Sequence, residues 1–220
     1  MVATTAHSAA LPYSLREELA SSLIHGLGIV LSIAGLATLV GFAVRSGGAR
    51  EIVSVAVYGT TLILLYTAST LYHGIPVARA KLVLRLLDHA AIFLLIAGTY
   101  TPFTLLTLQG KWGVALFVVV WALALAGISL ELRRVRNRVL MATLYVALGW
   151  IGLLAIGPLR ANLETPGLWL LFGGGAAYTF GVPFYLWKRL PYSHAVWHGF
   201  VLLGSVLQFF AVLLYVLPQA

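Results

Sequence analysis

The chain contains no cysteine, and only 9% of its 220 residues are Asp, Glu, Lys or Arg. Without cysteine there can be no disulfide and no thiolate-held metal. With so little charge there can be no soluble domain, which covers itself with roughly 25% charged residues. Acid is the scarcer sign: six acidic residues stand against fourteen basic ones, a formal net charge of +8. A surplus of that kind can mark a nucleic-acid partner. Here the basic residues are scattered between apolar runs, as in loops that face anionic lipid headgroups, so membrane lipids rather than nucleic acid are the expected partner. Residues 1–15 also lack an apolar stretch after a basic start. No cleaved signal peptide is therefore expected, and the first hydrophobic run reads as an uncleaved anchor.

What fills the chain instead is hydrophobic, 61% by count with a mean hydropathy of +0.98. Runs of about 20 apolar residues are long enough to cross roughly 30 Å of hydrocarbon as helices. Seven are expected, at 19–44, 52–74, 87–108, 112–130, 139–157, 167–187 and 194–217. The expectation is an all-α polytopic membrane protein: a cytoplasmic tail over 1–18 and a single seven-helix bundle over 19–217. The segment "GIPVARAKLVLRL" reads as a loop or a short interfacial helix, and "GGG" at 173–175 reads as a place where helices pack closely. Seven spans put the termini on opposite sides. Ten Lys or Arg then fall on the side of the N-terminus and four on the other. By the positive-inside rule the N-terminus is cytoplasmic and the C-terminus lies outside.

Ionisable groups inside a bilayer cost about 2.5–3.5 kcal/mol each on insertion scales and need a reason. His25, His73, Asp88, His89, His194 and His198 all fall where spans begin or end on the same side. In "HAVWH", His194 and His198 are four apart and share a helix face, and "STLYH" gives Ser69 and His73 the same spacing. A catalytic zinc takes three protein ligands and keeps a position open, and His73, His194 and His198 make such a set. Asp88 is then placed to orient or deprotonate a water, and Ser69 to hydrogen-bond it or a developing oxyanion. Other readings stand beside this one. Interfacial histidines can be simple anchors. Asp88 can cap a helix, Ser69 can bond back to its own helix, and His25 can pair with Glu18. Three imidazoles also suit cobalt, nickel or iron(II).

The stretches "EELASSLIHGLG", "LYHGIPVARAKLVLRLLDHAAIFLLIAGTYTPF" and "HAVWHGFVLLGSVLQFFAVL" resemble the hemolysin III family, which is grouped with the progestin and adipoQ receptors and more remotely with alkaline ceramidases. The resemblance covers nearly the whole chain. It implies a seven-helix bundle with a cytoplasmic N-terminus and a zinc ion held by His73, His194 and His198, with Asp88 and Ser69 beside it. It also implies lipid-amide hydrolysis or a role in membrane-lipid homeostasis, while the family name implies cytolysis. Ser21 and Ile24 depart from the usual first-span motif of relatives.

Three functions follow as expectations: an intramembrane zinc hydrolase acting on a lipid with an acyl chain, a non-enzymatic zinc-clamped sensor or receptor, and a pore. Phe93, Tyr100, Phe103, Phe180 and Phe184 are candidates for a greasy cavity or for ordinary packing.

Overall fold

A computed structural model describes residues 14–46, 48–108, 110–135 and 137–217. The described residues form helices joined by short turns, with no strand among them. Long apolar runs leave little alternative. In lipid every backbone N–H and C=O has to be satisfied within its own segment, and a helix does so. The helices are α1 (Leu15–Ser46), α2 (Ala49–Gly74), α3 (Ala78–Thr107), α4 (Gly110–Leu132), α5 (Arg138–Asn162), α6 (Thr165–Leu186) and α7 (Ser193–Val216).

Six of these are both long and apolar enough to cross a membrane. The exception by hydropathy is α6, whose three consecutive glycines and several aromatics dilute its apolar content. It is nonetheless 22 residues long and carries no Asp, Glu, Lys or Arg. The chain is a multi-pass helical membrane protein.

Two expected boundaries move. The third helix begins at Ala78 rather than 87, so the supposed interfacial segment is the first part of α3 and the connection shrinks to Ile75–Val77. Proline sets that break: Pro76 cannot continue the ladder, and Ile75 N–H closes α2 on Leu71 O at 3.0 Å. The first helix begins at Leu15, which brings Glu17 and Glu18 into its first turn; residues 1–13 lie outside the described residues.

Neighbours in sequence pack as neighbours in space, and α7 packs on both α6 and α1, closing the ring of helices. The core holds fully buried Leu39, Val55, Tyr58, Ala97, Val120 and Val212. Apolar side chains such as Leu154, Trp169 and Val114 face outward, as a lipid-facing surface requires. The glycine run is a packing device at its middle residue. A Cβ on Gly174 would lie 2.9 Å from Gly204 O and 2.6 Å from Gln208 Cγ, so α6 and α7 meet backbone to backbone there. Because the chain alternates direction, the start of α1, the end of α2, the start of α3, the end of α4 and the start of α7 share one end of the bundle. The basic residues Arg79, Lys81 and Arg85 of the first turns of α3, with Arg133 and Arg134 after α4 and Lys188 and Arg189 after α6, lie at that same end.

Candidate metal centre

Three buried imidazoles meet at this basic end. His73 sits in the last turn of α2, while His194 and His198 sit one turn apart in the first turns of α7. His73 Nε2 lies 3.1 Å from His198 Nε2. The ring of His194 is centred 4.5 Å from that of His198 and 5.0 Å from that of His73. One ring nitrogen from each of the three falls within 4.8 Å of the others. Local structure explains the meeting. Pro76 ends α2 just after His73, and Tyr192, with a left-handed φ of 57°, turns the chain into α7 just before His194. Tyr192 N–H donates to Glu17 Oε1 at 2.7 Å, which ties this turn to α1.

The donor set fits a metal ion. Zinc bonds imidazole nitrogen at about 2.0–2.1 Å, which spaces the nitrogens of a tetrahedral site by about 3.3 Å, close to the observed His73–His198 separation. His198 Nδ1 is buried and has no hydrogen-bond partner among the described residues. His73, His194 and His198 are the residues that can hold a metal here.

Around this trio the other expected residues take definite places. Asp88, the single aspartate of the chain, is buried ten residues inside α3. It therefore caps no helix and forms no ion pair among the described residues. Ser69, fully buried one turn before His73, lies beside Asp88 and does not bond back to its own helix. His25 reaches in from α1 with its ring 3.7 Å from that of His198, centre to centre, and neither of its nitrogens finds a partner among the described residues.

The suggested pairing of His25 with Glu18 does not form. Glu18 turns to α2 and α3 instead: its Oε2 lies 2.6 Å from His73 Nδ1 and its Oε1 accepts from Lys81 Nζ at 3.0 Å. The reason is charge. A buried carboxylate gains more from an ammonium and an imidazole N–H than from a neutral ring one helix face away.

A cavity of about 110 Å³ opens from this centre between α3, α5, α6 and α7. Asp88, His25, His194 and His198 line its polar end, and Ile92, Leu95, Ile96 and Val146 are among its apolar walls. A second cavity of about 60 Å³ shares Thr99, Tyr100, Trp150 and Gln208 with it and reaches Leu108 and Leu159. Of the candidate aromatics, Tyr100 lines both cavities and Phe103 the second. Phe93 is core, Phe184 stacks on Phe200, and Phe180 faces outward.

One buried acid went unnoticed in the sequence. Glu131, on the last turn of α4, accepts from Tyr145 Oη at 3.1 Å and lies 3.6 Å from His89 Nδ1. It lies one residue beyond the expected span 112–130, and its place directly after that apolar run is the signal that marks it. Outside the spans, Arg138 lies near Lys188 and holds that ammonium below the usual lysine range.

Fold and site together define a polytopic helical membrane protein with a buried three-histidine centre at one end. The chain belongs to the family described as Haemolysin-III related, which matches residues 13–209. It is 46% identical over 204 residues to the hemolysin-3 homolog of Bacillus subtilis, covering 92% of this chain and 96% of that one. To the hemolysin-3 of Bacillus cereus it is 46% identical over 207 residues, 94% of each chain. It is also similar to the human monocyte to macrophage differentiation factor, 27% identical over 203 residues, covering 89% of this chain and 83% of that one. No solved structure shows a significant match. In bacteria a protein of this family resides in the cell membrane.

Proposed function

We propose that this protein is a zinc-dependent intramembrane hydrolase that cleaves an amide or ester bond in a lipid, with its N-terminus and its zinc centre on the cytoplasmic side. The observation that supports it is a juxtaposition. Two of the three buried imidazoles, His194 and His198, line the polar end of an apolar cavity together with Asp88, a buried carboxylate with no ion pair among the described residues. A closed structural site would have no use for that carboxylate, since four protein ligands complete one.

His73, His194 and His198 would hold the metal, and zinc bound there supplies a Lewis acid that polarises a carbonyl and acidifies a water. Asp88, on the cavity wall, takes a proton as general base and returns it to the leaving amine or alcohol. Ser69 Oγ, buried with no hydrogen-bond partner among the described residues, donates to the oxygen on which charge develops. Ile92, Leu95 and Ile96 exclude water and hold the lipid segment next to the scissile bond. About 110 Å³ takes a group near the size of benzene rather than a whole acyl chain. The remainder of the chain continues toward the second cavity or out between helices.

The name of the Bacillus cereus relative offers a second reading, a cytolysin. The distribution of ionisable side chains speaks against a pore, because the buried ones cluster at one end of the bundle and do not line its length.

The test is metal analysis combined with turnover on purified protein. Wild type should carry about one zinc per chain and release fatty acid from a ceramide or a related lipid amide or ester. His198→Ala should lose the metal, and Asp88→Asn should keep it and lose turnover. Stoichiometric zinc with no hydrolysis of any lipid in such a panel would overturn the hydrolase.

A further inference from the structure

We propose that Glu18 is a positioning residue of the metal centre: it fixes the tautomer of His73 that turns Nε2 toward the metal, and Lys81 in turn holds Glu18. The inference rests on the reading of His73 as a ligand. Its geometry is on opposite edges of one ring. His73 Nδ1 faces Glu18 Oε2 at 2.6 Å, while His73 Nε2 faces His198. An ionised carboxylate has only lone pairs to offer, so the short contact makes Nδ1 the protonated nitrogen and leaves the lone pair of the neutral ring on Nε2. Metal-bound histidines commonly donate their other N–H to a carboxylate in this way, which orients the ring and raises its basicity.

Glu18 is itself over-determined. Lys81 Nζ donates to Glu18 Oε1 at 3.0 Å and to Tyr72 O at 2.8 Å, and lies 4.8 Å above the Tyr72 ring. Glu18 and Lys81 are both buried, although charged side chains are rarely so. Both oxygens of the carboxylate are therefore engaged, one by the ligand and one by a lysine from a third helix. A pair that merely bolted α1 to α3 would need no third partner. Here the second oxygen is spent on the ring nitrogen that decides which face of His73 can bind an ion.

The experiment uses the full chain in detergent, as wild type, Glu18→Ala, Glu18→Gln and Lys81→Met, with zinc affinity read by competition against a chromophoric chelator. Glu18→Ala should weaken zinc binding roughly ten- to a hundredfold, and Glu18→Gln should weaken it as well, because an amide can present its NH2 as readily as its oxygen to Nδ1 and no longer fixes the tautomer. Lys81→Met should weaken it by less. Two further readouts separate positioning from simple helix anchoring. The visible spectrum of the cobalt-loaded protein should shift in Glu18→Gln, and nitrogen NMR of the metal-free protein should show His73 losing its fixed Nδ1–H tautomer in the same variant. Should Glu18→Ala fail to fold, Glu18→Gln decides by these two spectra. Wild-type zinc affinity in a folded Glu18→Ala, or an unchanged His73 tautomer in Glu18→Gln, overturns the role of Glu18 alone. Zinc failing to bind wild type overturns the metal reading and this role with it.

Discussion

Alanine in place of glycine should have opposite effects at two helical sites, and the difference tests the packing that places α7. At Gly174 a new Cβ would lie 2.9 Å from Gly204 O, a backbone atom on α7. Carbon and carbonyl oxygen rest at about 3.4 Å, so α6 and α7 must part by about 0.5 Å. Gln208 Cγ, at 2.6 Å, has to move as well. Overpacking of this kind costs about 1–3 kcal/mol, offset by up to about 1 kcal/mol from the better helix propensity of alanine. The net cost, up to about 3 kcal/mol, should lower the melting temperature of Gly174→Ala by up to roughly 12 °C at about 2–4 °C per kcal/mol for a chain of this size. Gly41 on α1 is the control. A Cβ there meets nothing within 4 Å, so Gly41→Ala should melt level with wild type or slightly above it.

The same strain should reach the metal centre. Gly204 lies six residues along α7 from His198, about 9 Å on a helix, and α7 moves as a unit. Gly174→Ala should therefore bind zinc more weakly than wild type, and Gly41→Ala should not. Thermal unfolding in detergent, followed by circular dichroism with and without zinc, reads both effects. A Gly174→Ala protein that melts with Gly41→Ala would refute the close approach of α6 and α7 on which this reasoning depends.

Four other outcomes are expected. Asp88→Asn should retain zinc and helix content while hydrolysis falls by about 10²–10⁴, the range for loss of a general base; retained turnover removes Asp88 from the chemistry. Chelation should lower the melting temperature reversibly, because an ion that binds only the folded chain stabilises it by about 4 kcal/mol at a thousandfold excess over its dissociation constant; a melt indifferent to zinc and chelator argues against a site. Tyr145→Phe removes the hydroxyl that donates to buried Glu131 and should destabilise by about 1–3 kcal/mol, seen as a lower melting temperature. Since the chain has no native cysteine, single cysteines at Ala3 and Ala220 report topology directly. An impermeant maleimide should label the second on intact cells and the first only after lysis, and the reverse pattern would invert the proposed orientation.

Most of the fold was legible because lipid removes alternatives. An apolar run long enough to span has to be helical, and seven such runs joined by short turns leave few ways to pack. Legibility fails where a polar stretch reads as a boundary. "ARAKLVLRLL" looks like the rim of a membrane, yet it is helical from Ala78, and its Lys81 is buried. The sequence shows that lysine as a charge near an interface. It does not show that Glu18, 63 residues earlier, waits for it on another helix.

The candidate site divides along the same line. His194 and His198 were legible because two ligands on one helix write their spacing into the chain. Placing His73 with them took only the parity of the spans, since an even number of crossings returns the chain to the same end. The setting of Asp88 was not legible, because a cap and a mid-helix acid differ only in where the helix starts. Glu18 was misassigned for a related reason. Helical periodicity pointed to His25 on its own helix, whereas the partners it chose, His73 and Lys81, belong to α2 and α3. Spacing predicts contacts within a helix. A buried charge takes whichever opposite charge or donor the packing brings near, so the groups around a membrane metal centre are those a single sequence discloses last. His25 makes the same point from the other side: its ring lies against His198, where periodicity within α1 could not have put it, and both of its nitrogens still lack a partner among the described residues.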